Sequence, residues 1–205
     1  MDIHLERVVD SNTLEQYRAL TARHVGVLFP NEYLEAGDVY VMYDAVDNMV
    51  GGYALILEPP FRAIQSIPTS KRWKALNAVS QAGDSVCELN GLWLASEHRT
   101  PRAGLVLWRH LRQAVVARGR RAVVYAYGLE KPHLSRLYSA FAPEVLYQGE
   151  TVTLEGMAGP EPESIEMVTV SRAAEVLPLH HSRVFVPRLE PAAAMACMGG
   201  GCKSV

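Results

Sequence analysis

The segment best suited to chemistry joins a predicted strand to a predicted helix. It reads Leu94-Ala95-Ser96-Glu97-His98-Arg99-Thr100-Pro101-Arg102-Ala103-Gly104. The first N–H groups of a helix have no partner inside the helix, so a tight loop that leads into one can hold a pyrophosphate. Pro101 removes one such N–H, whereas Arg99 and Arg102 can bind phosphate oxygens through their guanidinium groups. The segment therefore predicts a pyrophosphate site that depends more on arginine side chains than on backbone amides.

The charge distribution of the chain favours an anionic small ligand at this segment. The 205 residues include 20 Lys and Arg against 22 Asp and Glu, which gives a net charge of −2. Arginines are nevertheless concentrated between Arg99 and Arg121, so a local positive field lies inside a slightly acidic chain. This balance argues against a nucleic-acid partner. A solvated helix face is the alternative explanation for most of these arginines.

Strands and helices alternate around this segment. Predicted strands cover residues 3–9, 39–43, 50–56, 87–95, 121–127, 145–154 and 164–170, and predicted helices cover residues 10–28, 71–82, 103–118 and 132–141. The second and third strands form a hairpin around the polar turn Asp47-Asn48, and residues 58–86 are predicted to be an insertion over the sheet. The order β-α-β-β-(insert)-β-α-β-α-β-β predicts an α/β (α+β) fold, with a mixed, twisted central sheet and helices on both faces.

The loop resembles the pyrophosphate loop of the GNAT (N-acetyltransferase-like) acyltransferase superfamily. Glu97 and Arg99 match the family's Glu-x-Arg and Gly104 matches its last glycine, while Thr100 and Arg102 occupy the positions of the first two glycines. The resemblance extends over residues 3–170. It implies an acyl-CoA or acyl-carrier-protein (acyl-ACP) donor. The thioester carbonyl would lie at the backbone of Leu94 and Ala95, where this strand should separate from its neighbour in the sheet. The donor-binding residues that it implies are Leu94, Ala95, Arg99, Thr100, Arg102, Ala103 and Gly104.

The same resemblance implies the catalytic groups. GNAT enzymes carry an Asn-x-x-Ala-x-x-Leu-Tyr helix after the next strand, and Tyr138 falls at its tyrosine in Lys131-Pro132-His133-Leu134-Ser135-Arg136-Leu137-Tyr138. Tyr138 would protonate the departing thiolate, because a phenol and a thiol have similar pKa values. Glu88, on the central strand, is the candidate base for the acceptor amine. His98 and Glu97 are the alternatives for that base, and structural roles remain open for all four residues.

The function implied is N-acyl transfer from an acyl thioester to the amine of a small molecule. The alternative is an enzyme like the acyl-homoserine-lactone and N-acyl amino acid synthases, whose layout is echoed by the run from Gly52 to Pro59 and by Arg136-Leu137-Tyr138. That family's acidic cluster is reduced here to Gly37-Asp38-Val39-Tyr40.

We expect an apolar acceptor or acyl pocket at the insertion, lined by Phe61, Trp73 and Leu76. We also expect a cytoplasmic monomer or homodimer with no membrane span, since the chain has no signal sequence and no long apolar run.

Two units are predicted, an acyltransferase domain over residues 1–175 and a C-terminal extension over residues 176–205. The extension contains Cys197 and Cys202 on a Gly-rich stretch, and His180 and His181 could complete a four-ligand site with them. A catalytically idle GNAT-like module that binds metal or thiol ligands would then be the non-enzyme alternative. A tail whose cysteines have no specific role is the preferred explanation of the pattern, and no metal is predicted as a cofactor.

Overall fold

The computed structural model describes residues 3–176, and its element order confirms the predicted one. The strands are β1 His4–Arg7, β2 Asp38–Tyr43, β3 Met49–Ile56, β4 Val86–Leu94, β5 Ala122–Gly128, β6 Glu144–Glu150 and β7 Pro162–Thr169. The helices are α1 Ser11–Val25, α2 Asn31–Glu35, α3 Arg62–Gln65, α4 Trp73–Ala82, α5 Pro101–Ala117, α6 Pro132–Ser139 and α7 Val170–Val176. The predicted extension, with Cys197, Cys202, His180 and His181, lies outside the described residues.

All seven strands form one sheet in the order β1-β2-β3-β4-β5-β7-β6. Every neighbouring pair is antiparallel except β4 and β5, which are parallel. Their pairing begins at Val86–Ala122 and ends at Glu88–Val124, although β4 continues to Leu94. The two strands therefore separate at the centre of the sheet, and backbone groups on both sides of the gap lack a strand partner.

Helices cover both faces of the sheet, as predicted. Helices α1 to α4 pack on one face, where the two smaller clusters of buried residues lie. Helices α5, α6 and α7 pack on the other face over the largest cluster, which includes Leu107, Tyr138 and Val168. We call these the α1–α4 face and the α5–α7 face.

The ends of the long helices follow from local capping. The Asp10 side chain accepts a hydrogen bond from the Thr13 N–H at the start of α1, and Thr100 caps α5 in the same way. Because Thr100 supplies this cap and Pro101 suits the first helical position, α5 begins two residues earlier than predicted. Gly119, with φ of 68°, follows the end of α5 as the sequence predicts.

Two sequence expectations are corrected. Helix α4 is present, but Trp73 is 71% exposed and Leu76 is 53% exposed, so neither lines an interior pocket. The helix instead packs through Ala75, which is fully buried. The sixth strand ends at Glu150 rather than residue 154. The Thr151 N–H still bonds to the Glu161 carbonyl opposite it, but the Val152 N–H turns away and bonds to the Ser66 carbonyl.

A bulge at Gly91 shapes β4 beside the gap. Between their shared pairs, β4 advances from Asn90 to Trp93 while β3 advances only from Ala54 to Gly52, so β4 carries one extra residue. Gly91 has φ of 57°, and its carbonyl accepts a hydrogen bond of 2.8 Å from the Tyr17 hydroxyl. A Cβ at this position would collide with that hydroxyl. The hydrogen bond and this close contact therefore hold helix α1 and the bulge in one position relative to each other.

We expect Gly91→Ala to lower the free energy of unfolding by about 2–4 kcal/mol, since it combines backbone strain with the collision against Tyr17. Gly119→Ala is the matched control, because Gly119 has a similar φ of 68° but open space around its Cβ position. That variant should lose only about 1–2 kcal/mol, the cost of the left-handed backbone alone. Urea unfolding of both variants measures the difference, and equal losses would exclude the close approach as a constraint.

Candidate active site

The predicted site residues lie around the gap between β4 and β5, at its two ends and on both faces of the sheet. The loop from Leu94 to Gly104 lies where β4 ends and α5 begins, and Tyr138 lies on α6 on the α5–α7 face. Glu88 is at the apex of the gap, at the last paired position of β4. Its side chain contacts α3 and therefore points to the α1–α4 face. Tyr138 and Glu88 thus approach the gap from opposite faces of the sheet.

The donor loop is the predicted pyrophosphate segment, residues 94–104. Most of its N–H groups already donate hydrogen bonds within the protein. His98, Arg99 and Thr100 donate to carbonyls of the loop itself, and Gly104 donates to the Thr100 carbonyl. The Ala103 N–H donates to the Thr100 hydroxyl at 3.2 Å. Pro101 has no N–H, so the Arg102 N–H is the one at the start of α5 with no acceptor in the described part of the chain. A phosphate here would meet one helix N–H together with arginine side chains.

Two of the predicted donor-binding groups already have partners. The Ala95 N–H donates to the Val50 carbonyl of β3 at 2.8 Å. The Leu94 carbonyl accepts a 2.9 Å hydrogen bond from Arg99 Nε. Because successive residues of a strand direct their backbone groups to opposite sides, the Leu94 N–H faces the gap. Arg99 is therefore tied to the end of β4, with its terminal guanidinium nitrogens left for a ligand.

Tyr138 lies in a layer of stacked tyrosines. Its ring centroid is 4.6 Å from that of Tyr125 and 5.1 Å from that of Tyr127. Tyr125 and Tyr127 both donate to Glu166, a buried carboxylate on β7, at 2.9 Å. The Tyr138 hydroxyl takes no such bond within residues 3–176, so its proton is uncommitted. Burial raises the pKa of Tyr138, and the Glu166 carboxylate raises it further, which keeps the phenol protonated.

Glu88 is fully buried and nearly saturated with hydrogen bonds. Its carboxylate accepts from the Tyr33 hydroxyl at 2.6 Å and from the Arg62 and Ala63 N–H groups at 2.9 and 2.5 Å. The last two are N–H groups of the first turn of α3, so Glu88 caps that helix from 25 residues away. Burial raises the pKa of Glu88, while these hydrogen bonds oppose the shift. Asn90 donates to the same Tyr33 oxygen at 2.6 Å.

Three contacts fold the β6–β7 loop over the α1–α4 face. Leu28 N–H donates to the Gly156 carbonyl at 2.9 Å, and Val152 N–H donates to the Ser66 carbonyl at 2.7 Å. Arg62 donates to the Glu155 carbonyl at 2.6 Å, with its guanidinium over the Phe29 and Tyr33 rings. The face that carries Glu88 is thereby enclosed by the α1–α2 segment, α3 and this loop.

The alternative bases are placed differently. The His98 ring lies in the donor loop, 3.7 Å from the Asp44 carboxylate in the β2–β3 turn. Glu97 is exposed, and its pKa is lowered by its own backbone N–H and by the Ser96 hydroxyl, which donates to it at 3.0 Å. A carboxylate with a lowered pKa is a weaker base, which makes Glu97 less suited to the role.

A small apolar cavity lies behind Tyr138 on the α5–α7 face. Its volume is about 50 Å³, and its walls include Leu89, Trp108, Tyr125 and Phe141. This cavity lies on the face of the sheet opposite the insertion, where the sequence predicted an apolar pocket. Helical spacing places Trp108 and Leu111 on the buried side of α5, but only the fold brings them beside Tyr138.

Sequence reasoning missed Tyr33, Arg62 and Glu166. Glu166 could have been noticed as a carboxylate inside a predicted strand, whereas no local pattern marks the other two. Among the described residues, no group of three or more His, Cys, Asp or Glu is placed to hold a metal ion. No helix in residues 3–176 has both the length and the apolar character needed to cross a membrane.

Solved structures share this architecture at low sequence identity. FeeM, an N-acyl amino acid synthase from uncultured soil microbes, superposes with a TM-score of 0.62 at 11% identity, covering 85% of this chain and 94% of FeeM. The spermidine/spermine N-acetyltransferase SpeG from Vibrio cholerae gives a TM-score of 0.56 at 12% identity, with 84% and 96% covered. The yncA protein from Salmonella typhimurium, solved with its cofactor acetyl-CoA, gives 0.52 at 10%, with 83% and 95% covered.

These similarities establish the GNAT fold for this chain, as the resemblance of its donor loop predicted. The shared region includes nearly the whole length of each of the three proteins, so the similarity is one of complete domains. No family model and no curated protein sequence matches the chain.

We expect Glu88→Gln to lower the free energy of unfolding by about 1–3 kcal/mol. The glutamine amide has only one acceptor oxygen. Its NH₂ group would therefore face one of the hydrogen-bond donors around Glu88, and that buried donor would lose its acceptor. Glu130→Gln is the control, because Glu130 is exposed and removal of its charge should change stability by less than about 0.5 kcal/mol. Urea unfolding measures both, and an unchanged Glu88→Gln variant would contradict the capping role.

Proposed function

We propose that the protein is an N-acyltransferase that moves an acyl group from acyl-CoA to the amine of a small molecule. The observation that carries the proposal is the gap between β4 and β5, with an arginine-bearing loop at its open end and an uncommitted Tyr138 hydroxyl at its wall. A thioester in the gap would place its carbonyl near the Leu94 N–H, which can donate to the oxyanion that forms during attack. The acetyl-CoA in the yncA structure supports a donor of this class.

The pyrophosphate of the donor would bind at the start of α5. Arg99 and Arg102 supply charge-assisted hydrogen bonds, the Arg102 N–H supplies one backbone bond, and the positive end of the α5 dipole adds to them. Thr100, Ala103 and Gly104 form the turn that positions these groups. Because few loop N–H groups are free, the side chains should carry more of the affinity than in a glycine-rich loop.

The chemical step needs a base and an acid. The acceptor ammonium gives one proton to the base, and its neutral nitrogen then forms a bond to the thioester carbon. As the C–S bond breaks, Tyr138 donates its phenolic proton to the leaving thiolate. The nitrogen then loses its second proton, which restores the proton of Tyr138 and leaves a neutral amide. Glu88 is the proposed base, and its burial supports this, since a raised pKa makes a carboxylate a stronger base. The Tyr33 hydroxyl, bonded to Glu88, is the group through which a proton could reach it.

The acyl group itself can extend into the apolar cavity behind Tyr138. Its wall residues, among them Leu89 and Trp108, suit a hydrocarbon chain longer than acetyl, and FeeM is a solved relative in fold that makes N-acyl amino acids. The alternative prediction is an acyl carrier protein as the donor. Such a donor would not make the contacts that the adenosine and pyrophosphate of CoA make.

Thermal melting with acyl-CoA tests the donor site. Saturating acetyl-CoA or octanoyl-CoA should raise the melting temperature of the wild type by several degrees, because a ligand that binds only the folded state stabilises it. The shift should disappear in Arg99→Ala/Arg102→Ala. Arg109→Ala, an exposed arginine of the same helix, should retain the full shift. A wild type that responds to neither thioester would contradict a CoA donor and favour acyl-ACP.

A second prediction concerns the acid. Tyr138→Phe should lower kcat for acyl transfer by about 10²–10⁴-fold, the usual contribution of a positioned acid, with little change in the KM for acyl-CoA. Tyr147→Phe is the control, since Tyr147 is also buried but its hydroxyl donates to the Glu150 carbonyl on β6. Thiol release followed with Ellman's reagent measures both variants. Equal activity in Tyr138→Phe and wild type would eliminate this tyrosine as the acid.

A further inference from the structure

The cavity behind Tyr138 lies at the closed end of the gap. Leu89 of β4 and Tyr125 of β5 are the first residues after the last pair of the two strands, Glu88–Val124, and both line the cavity. Both also belong to the buried cluster on the α5–α7 face. A chain that enters the gap at the donor loop and runs toward the apex therefore reaches this cavity.

The register of β3 with β4 gives the distance along the gap. Leu94 pairs with Gly51 and Leu89 pairs with Leu55, so four residues of β3 separate the two β4 residues. At about 3.3 Å per residue this is about 13 Å. An extended polypeptide advances roughly 1.2 Å per backbone bond, and a saturated acyl chain is built from similar single bonds. A chain whose carbonyl lies near the Leu94 N–H thus needs about eleven bonds to reach Leu89.

Helix α7 closes the cavity at the end away from the donor loop. The Val170 N–H, at the start of α7, donates to the Arg121 carbonyl at 2.9 Å. Arg121 directly precedes β5 and lies three residues before Val124, on the side of the apex where β4 and β5 are paired. Val170 and Ala173 of this helix form part of the cavity wall. A ligand that arrives along the gap therefore meets α7 last.

The size and lining of the cavity suit the end of a hydrocarbon chain. Most of the lining residues are apolar or aromatic, among them Leu111, Phe141 and Val168. Cavities of this kind stay dry, so an alkyl chain can enter without displacing a bound water molecule. A water-sized group needs at least about 10–15 Å³, so a cavity of about 50 Å³ holds roughly three or four methylene-sized groups. Together with the length of the gap, this gives a chain of roughly 12–16 carbons.

We propose that this cavity is the terminal pocket for a long saturated acyl chain, and that Ala173 on α7 determines how long a chain the protein accepts. The proposal rests on the proposed acyl-CoA donor and adds to it a class of acyl group, with roughly 12–16 carbons. Ala173 has the smallest side chain among the lining residues, so a larger residue there would occupy the end of the pocket. It acts on chain length alone and takes no part in proton transfer.

Binding of acyl-CoA thioesters of different lengths tests the pocket without any transfer reaction. In isothermal titration calorimetry with monomeric thioesters, the wild type should bind tetradecanoyl-CoA at least about tenfold more tightly than octanoyl-CoA. Ala173→Leu replaces a methyl by an isobutyl group and should weaken tetradecanoyl-CoA binding at least about tenfold, because each methylene kept out of an apolar site costs roughly fourfold in affinity. Its affinity for octanoyl-CoA should stay within about twofold of the wild type, since that chain ends about 5 Å before Leu89. Ala117→Leu, at an exposed alanine that ends α5, is the control and should bind both thioesters like the wild type.

Equal affinity of the wild type for the two thioesters, or tetradecanoyl-CoA binding that Ala173→Leu leaves unchanged, would overturn the proposal. If Ala173→Leu fails to fold by circular dichroism, Val170→Ala, which enlarges the pocket, decides the question. It should tighten the binding of hexadecanoyl-CoA relative to tetradecanoyl-CoA, and an unchanged ratio would count against the pocket. A chain-length preference that depends on Ala173, without transfer to any amine, would keep the pocket but reject the N-acyltransferase proposal. Transfer of octanoyl and tetradecanoyl groups with equal kcat/KM would reject the pocket but keep that proposal.

Discussion

The separation of two parallel strands is the constraint on which the rest of the structure depends. After the Glu88–Val124 pair, β4 and β5 can no longer exchange hydrogen bonds, and polar backbone groups inside a domain must find other partners. Some are satisfied internally, as when Arg99 Nε donates to the Leu94 carbonyl and Tyr17 donates to the Gly91 carbonyl. The groups that remain at the gap, such as the Leu94 N–H, are the ones that the proposed thioester donor would use.

Holding the gap open requires support from both faces. On the α1–α4 face, this support comes from Glu88, which caps α3 and accepts a hydrogen bond from Tyr33. These bonds hold the insertion in place over the apex of the gap. On the α5–α7 face, Glu166 supplies it by accepting from Tyr125 and Tyr127. Both carboxylates are buried with hydrogen-bond donors around them, and within residues 3–176 neither forms an ion pair with an arginine or lysine. Hydroxyl and backbone donors are short and fixed in place, so each carboxylate holds its neighbours in one arrangement.

The sequence predicted those parts of the fold that local rules determine. The order of strands and helices depends on such rules and is confirmed. The Asp10 cap of α1 and the left-handed Gly119 after α5 are local features of the same kind. The proposed donor loop stays a prediction, based on a strand that leads into an amphipathic helix. The exposure of Trp73 was not predictable, because the spacing of apolar residues on α4 does not reveal whether another element covers that side of the helix.

The candidate site was predictable only along one stretch of chain. The partners of Glu88 lie 25 to 55 residues away along the chain, and the gap begins where the pairing of β4 with β5 ends, at Glu88–Val124. Neither arrangement leaves a pattern in neighbouring residues, since register is set by the whole sheet.

The arginines and the buried carboxylate of the gap lie at its two ends, and this arrangement suits the proposed reaction. Arg99 and Arg102 are exposed in the loop that follows β4, where the dipole of α5 is positive. Glu88 lies at the apex, six residues before the end of β4 at Leu94, and it is fully buried. An anionic thioester donor would therefore be attracted to the open end of the gap. The carboxylate that we propose as the base would exchange a proton with the acceptor only through Tyr33, whose hydroxyl donates to it.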